Sequence, residues 1–200
     1  MPRLRTIVHS CLAATAGIVA LEHVVRPDLP PLERFISEYG RGSTQPLHVA
    51  AFGAWTVANG GCAALAGSRR GPRAARAATA CGFAAAALGT LVAAVFATQT
   101  VGGELPAGVA RTTAGRLHDM GTLLILGGLV VAGMASTLLI STRRYRLIAL
   151  ALATGLFAIV PALLAFRLDA PGLGQRGFVL VGWLFGWAFA SHAGAEAPPR

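Results

Sequence analysis

Lysine is absent from these 200 residues, and all 17 basic side chains are arginine. Acids number 8, and charged residues make up only 12% of the chain, against roughly 25% in an ordinary soluble domain. Aromatics are sparse at 7%, and the cysteines are three: Cys11, Cys62 and Cys81. They form no C-x-x-C, so neither a disulfide framework nor a cysteine zinc motif is written here; each falls in an apolar block, where a thiol packs as a small hydrophobe. The net charge of +9 raises the possibility of a nucleic-acid binder. The arginines sit in short connections rather than on one continuous basic face, which excludes that footprint.

What the chain has is apolar length. Hydrophobic residues make up 54% of it, the mean hydropathy is +0.62, and the apolar residues gather into six blocks at 6–25, 45–67, 77–99, 117–140, 147–166 and 177–194. About 20 apolar residues cross a hydrocarbon core of roughly 30 Å. The expected fold is therefore all-α, a polytopic bundle of about six transmembrane helices forming one domain over residues 1–200, with no room for a soluble catalytic domain. The start, Met1-Pro2-Arg3-Leu4-Arg5, has the look of a signal peptide, but the block ends in Glu22-His23-Val24-Val25-Arg26-Pro27, which offers no small-residue cleavage site. It is read as a mature helix.

Arginine placement predicts orientation. With the N-terminus inside, the inner connections and tails hold Arg3, Arg5, Arg69, Arg70, Arg73, Arg76, Arg143, Arg144, Arg146 and Arg200, ten in number, against seven outside: Arg26, Arg34, Arg41, Arg111, Arg116, Arg167 and Arg176. Glu196 is the one inner acid, and the other seven lie outside. The positive-inside rule then places both termini in the cytoplasm, and a bacterial plasma membrane is the expected location. Small residues recur every fourth position at Ala50, Ala54, Ala58, Cys62 and Ala66, and again at Gly182, Gly186 and Ala190, a spacing that lets helix backbones approach closely. Such stripes serve packing within the bundle, or else a homo- or hetero-oligomeric partner. Pro161 is expected to kink the fifth span. The first outer connection, about Arg26–Gln45, is long for so economical a chain, which predicts a functional or capping loop.

Polar residues collect at the outer level. Glu22, His23 and Arg26 close the first span, His48 opens the second, His118 and Asp119 open the fourth, Arg167 ends the fifth, and Asp169, Gln175 and Arg176 precede the sixth. Ionisable groups at that depth face the bundle interior or water and pair with one another. Glu22 and Arg26, four apart, are placed to pair along one helix face. Three readings stay open. An interfacial network caps helix ends and docks the loop. A lipid headgroup binds, with Arg26, Arg167 and Arg176 as anion contacts. Or His23, His48, His118 and Asp119 hold zinc and activate water, although no H-E-x-x-H and no histidine pair four apart occurs. Ser37 with His48 or His118 as base and Asp119 or Glu22 as orienter writes a catalytic triad on paper, but no nucleophile elbow surrounds it. A bis-histidine haem using His9 and His192 lacks the facing pairs and the aromatic content it needs.

Four stretches together carry a resemblance: His23-Val24-Val25-Arg26-Pro27-Asp28, Ile36-Ser37-Glu38-Tyr39-Gly40, His118-Asp119, and Gly172-Leu173-Gly174-Gln175-Arg176. In order and spacing, over nearly the whole chain, the sequence resembles the DUF998 family of small bacterial and archaeal six-helix membrane proteins of unassigned function. It departs from that pattern at Arg41-Gly42-Ser43-Thr44-Gln45, where the family tends toward a glycine-aromatic run. The resemblance implies a fold and a membrane location, and it implies that His23, Arg26, Asp28, Ser37, Glu38, Tyr39, His118, Asp119, Gln175 and Arg176 matter. With Arg167, the ligand-binding candidates are Arg26, Asp28, Glu38, Tyr39, Gln175 and Arg176; Ser37, His118 and Asp119 are the catalytic candidates. The expected function is an outward-facing polar site for a lipid headgroup or other amphiphile. The alternatives are a metal-assisted hydrolase and a structural subunit of a membrane complex.

Overall fold

The computed structural model describes residues 1–68, 70–158 and 170–193 in full, and residues 159–166 as backbone. Among the described residues there are six α-helices: α1 (Pro2–Val25), α2 (Gln45–Gly67), α3 (Arg73–Val95), α4 (Thr113–Ser136), α5 (Arg143–Phe166) and α6 (Pro171–Ala193). No strand occurs among the described residues, only an isolated bridge between Val101 and Glu104. Helices of 23 or 24 residues rise about 35 Å at 1.5 Å per residue, enough to cross a bilayer core of roughly 30 Å. Among the described residues α1, α2 with the turn before it, α3 and α4 are long and apolar enough to do so. The opening of α6, with Gly172, Gly174, Gln175 and Arg176, dilutes its hydropathy. The outward surface carries Val24, Leu88, Val95, Leu123, Leu138 and Phe157, each more than half exposed. Water would drive such a coat to aggregate, and lipid accepts it. The chain is an integral membrane protein built as an all-α bundle.

Consecutive helices pack on one another, and α6 closes the ring against α1 and α2. In the middle, Phe83 of α3 stacks on Phe185 of α6 at 5.3 Å and meets Phe189 at 4.8 Å. The tightest approach lies between α3 and α4. A Cβ at Gly82 would sit 2.6 Å from the Gly128 carbonyl, and one at Gly89 would sit 2.5 Å from the Gly121 carbonyl. This glycine pairing, rather than the alanine stripe of α2, sets the closest backbones. Ala58, Cys62 and Ala66 of that stripe are buried while Ala50 is exposed. Gly182, Gly186 and Ala190 are all buried, with Gly182 against Trp55 and Gly186 against Leu12. The buried positions of both stripes serve packing within the chain.

Several boundaries differ from the sequence expectation, each for a local reason. α3 stops at Val95 rather than 99 because the chain turns extended at Phe96, which turns the Thr98 and Thr100 carbonyls to accept from Arg41 at 2.8 and 2.7 Å. α4 starts at Thr113, four residues before the apolar run, because the Thr112 hydroxyl accepts from Gly115 N and caps it. It ends at Ser136, where the chain turns and the Tyr145 hydroxyl donates to Ser136 Oγ at 2.7 Å. α6 starts at Pro171, not 177, so Gln175 and Arg176 lie inside the helix instead of before it. Proline suits a first helical turn, and the polar first turns of α6 are covered by protein: Gly172 N donates to Leu32 O at 2.9 Å. α5 is helical through Pro161 to Phe166; the expected kink there, together with Arg167 and Asp169, falls outside the residues described in full.

The long first connection is not structureless. It holds two short 3-10 turns, Ile36–Gly40 and Gly42–Thr44. All five residues of the first are buried, so this segment is a cap pressed onto one end of the bundle. The opposite end carries Arg3, Arg5, Arg70, Arg73, Arg76, Arg143, Arg144 and Arg146.

Candidate functional site

The cap is clamped by charged side chains, and Arg176 of α6 is the hub. Its Nε and Nη2 reach His23 Nε2 at 2.9 and 2.8 Å, its Nη1 donates to the carbonyls of Arg34 at 2.6 Å and Gly172 at 3.0 Å, and its Nη2 donates to the Tyr39 hydroxyl at 3.3 Å. A guanidinium only donates, so His23 Nε2 accepts and Nδ1 carries the proton, which goes to Val19 O at 2.6 Å. Tyr39 is fully buried and donates to Leu29 O at 2.8 Å. Burial raises its phenol above the usual value, which keeps the donor protonated.

Two more clasps complete the cap. Glu38, 3% exposed, accepts from Phe35 N at 3.0 Å and Gly102 N at 2.8 Å through Oε1, and from Arg34 Nη1 at 3.3 Å through Oε2. It ties the first connection to the one between α3 and α4. Arg26 forks onto Asp28 with two bonds of 2.8 Å and gives Nη1 to Arg41 O and Thr44 Oγ1, both at 3.3 Å. The Arg26 guanidinium holds the Asp28 carboxyl below the usual range. The expected Glu22–Arg26 pair does not form. Arg26 has left the helix as its C-cap, while Glu22 points inward and is fully buried, its Oε1 3.2 Å from His48 Nδ1. That imidazole–carboxylate pair lies beneath the cap, and Gly40 rests on the His48 ring, where a Cβ would come within 2.7 Å of Cδ2.

Beside the clasps a cavity of about 370 Å³ opens, at the low end of the range for ligand pockets. Ser37 of the cap, Thr98 and Thr100, Arg111, His118, Asp119 and Thr122 of α4, and Gln175 of α6 supply its polar lining. Ser37 is fixed by Gln175: its N donates to Oε1 at 3.3 Å, and Nε2 donates to its Oγ at 3.4 Å. His118 gives its Nδ1 proton to Phe96 O at 2.7 Å, which leaves Nε2 as the acceptor. Asp119 Oδ2 lies 2.6 Å from Arg111 Nη1.

The predicted residues thus divide. Arg26, Asp28, Glu38, Tyr39 and Arg176 hold the cap, and only Gln175 of the ligand-binding set lines the cavity, with Ser37, His118 and Asp119 beside it. Arg167 lies outside the described residues. The four metal candidates do not converge. His23 spends both ring nitrogens on Arg176 and Val19, His48 faces Glu22, His118 faces a carbonyl, and Asp119 faces Arg111. Among the described residues no three His, Cys, Asp or Glu side chains gather closely enough to hold a metal ion. Of the triad as written, the base and orienter His48 and Glu22 do pair, while Asp119 turns from His118 to Arg111; Ser37 Oγ is held by Gln175, and among the described residues no hydrogen bond joins it to either histidine. At the other end His9 meets Ser191 Oγ, and His192 donates to Ala188 O.

Residues 10–192 match the family model described as a protein of unknown function, DUF998. The chain belongs to the DUF998 family. No curated protein and no solved structure matches it. Sequence reading of this DUF998 chain missed Arg111, Thr98, Thr100 and Thr122. Arg111 stands eight residues before Asp119, too far for a helical pair; Thr98 falls in the tail of the 77–99 block, and Thr100 lies just past it. The hint that existed was the seven-to-seven balance of charge on the capped side.

Proposed function

We propose that this DUF998 protein binds one amphiphile at its capped end, the polar head in the cavity and the apolar chains along the outer face of α4. The observation that carries this reading is the composition of one lining. Ser37, Thr98, Thr100, Arg111, His118, Asp119 and Gln175 line the same cavity as Leu123, which is 67% exposed on a helix able to cross the membrane. Met120, one turn before, is 58% exposed and continues that apolar face. A site that is polar inside and opens onto lipid-facing leucine suits a molecule with both characters. The arginine bias supports an orientation with both termini cytoplasmic, so that the cavity faces outward; a bacterial plasma membrane is the proposed location.

The test is the mass of the intact protein released from mild detergent. The wild type is expected to carry one lipid per chain. Thr122→Phe, which fills the cavity, and Gln175→Leu, which removes its amide, are each expected to lower the lipid-bound fraction at least fivefold while the protein stays monodisperse. A wild type free of lipid, or lipid content unchanged in both variants, overturns the reading.

A further inference from the structure

The chemistry of the head follows from the charges on the cavity wall. Arg111 and Asp119 are the two oppositely charged side chains among the described lining residues; they stand 2.6 Å apart and remain 43% and 38% exposed. The other polar groups there are neutral: the hydroxyls of Ser37, Thr98, Thr100 and Thr122, the Gln175 amide and the His118 imidazole. The paired oxygen, Asp119 Oδ2, is itself buried and receives no well-directed hydrogen bond despite its closeness to Arg111, so the contact rests on charge alone and can open around a ligand that offers each partner a better counter-charge.

We infer that the head is zwitterionic and of the phosphoethanolamine class, with Arg111 taking the phosphate and Asp119 the primary ammonium. A guanidinium grips phosphate with two parallel N–H bonds. An ammonium N–H needs acceptors, and Asp119 supplies one while His118, its Nδ1 proton committed to Phe96 O, keeps Nε2 as another. A head with only negative charge would satisfy Arg111 and press on the Asp119 carboxylate. A quaternary ammonium has no N–H to give and is held by aromatic cages, whereas Phe35 is the one aromatic side chain among the described lining residues beside His118.

This inference rests on the amphiphile reading, and the experiment separates the two. Full-length protein, stripped of lipid in detergent, is titrated with short-chain phosphatidylethanolamine, phosphatidylcholine, phosphatidylglycerol and diacylglycerol. Phosphatidylethanolamine is expected to bind at least tenfold tighter than the other three. Asp119→Asn is expected to abolish that preference while leaving phosphatidylglycerol binding intact, and Arg111→Gln to weaken all three phospholipids. Both residues are part-exposed, so both variants fold. Phosphatidylcholine, phosphatidylglycerol or diacylglycerol binding as tightly as phosphatidylethanolamine, or Asp119→Asn leaving the preference unchanged, overturns the head assignment alone. Failure of every lipid to bind the wild type overturns the amphiphile reading with it.

Discussion

Gly89→Leu is expected to separate α3 from α4 and to destabilise the bundle by about 3 kcal/mol or more, at or beyond the upper range for overpacking. The cause is backbone, not side chain. A Cβ at 89 would lie 2.5 Å from the Gly121 carbonyl and 2.8 Å from Ile125 N, and neither atom can rotate away. One full turn pair along, Gly82 meets Gly128 in the same manner, so the two helices cannot slide to relieve the clash at one crossing without worsening the other. Close packing is what holds membrane helices together where lipid gives no hydrophobic drive. Unfolding in an SDS titration, or loss of the monodisperse peak after mild heating, reads the effect. Gly53→Ala and Gly60→Ala serve as controls, since nothing lies within 4 Å of a Cβ at either. Each is expected to leave stability unchanged or raise it by about 0.4–1 kcal/mol.

Arg176→Ala is expected to release the cap. Its guanidinium holds His23, Tyr39 and the carbonyls of Arg34 and Gly172 at once, and removing it leaves several of these without partners. Charged hydrogen bonds contribute about 1.5–3 kcal/mol each, and an orphaned buried group costs about 1–3, so a loss on the order of 3 kcal/mol follows once the shared geometry is counted. Trypsin gives a direct readout, because Arg34 and Arg41 flank the cap. Cleavage at both is expected to quicken at least tenfold in Arg176→Ala. Arg176→Lys, a single point of charge that cannot span the same acceptors, is expected to fall between. Arg26→Ala should have the smaller effect, since its main partner Asp28 is 60% exposed. Cleavage of Arg176→Ala at the wild-type rate contradicts the cap's assignment.

How much of this was legible in the sequence depended on the physics behind each signal. Lipid demands blocks of about 20 apolar residues, so six helices could be counted from hydropathy alone. The polar level at one end could be seen too, because ionisable groups within a span have few ways to be satisfied. Partner choice was not legible. Glu22 stands four residues from Arg26, yet it faces inward to His48 while Arg26 leaves the helix; which way a terminal side chain turns depends on where the helix stops, and hydropathy does not report that. The start of α6 was placed late for a related reason: Gln175 and Arg176 look like a loop when only lipid is considered, but the cap covers them. The α3–α4 contact was hidden because Gly82, Gly89, Gly121 and Gly128 recur seven apart on two separate helices, and only their juxtaposition gives the spacing meaning. The cavity was half visible. Ser37, His118, Asp119 and Gln175 carried polar chemistry in expected places, while Arg111, Thr98, Thr100 and Thr122 acquire a role only once the cap brings the connections together.

A crosslinking map in native membranes tests the amphiphile site most directly. A phospholipid carrying a photoreactive group in its head is incorporated, irradiated, and its attachment sites are read by peptide mass. Labels are expected to concentrate between Arg111 and Leu123 and between Phe35 and Ser37, and to be removed by Thr122→Phe. Labels scattered around the helix ends at both faces, with none enriched in those two segments, contradict the site.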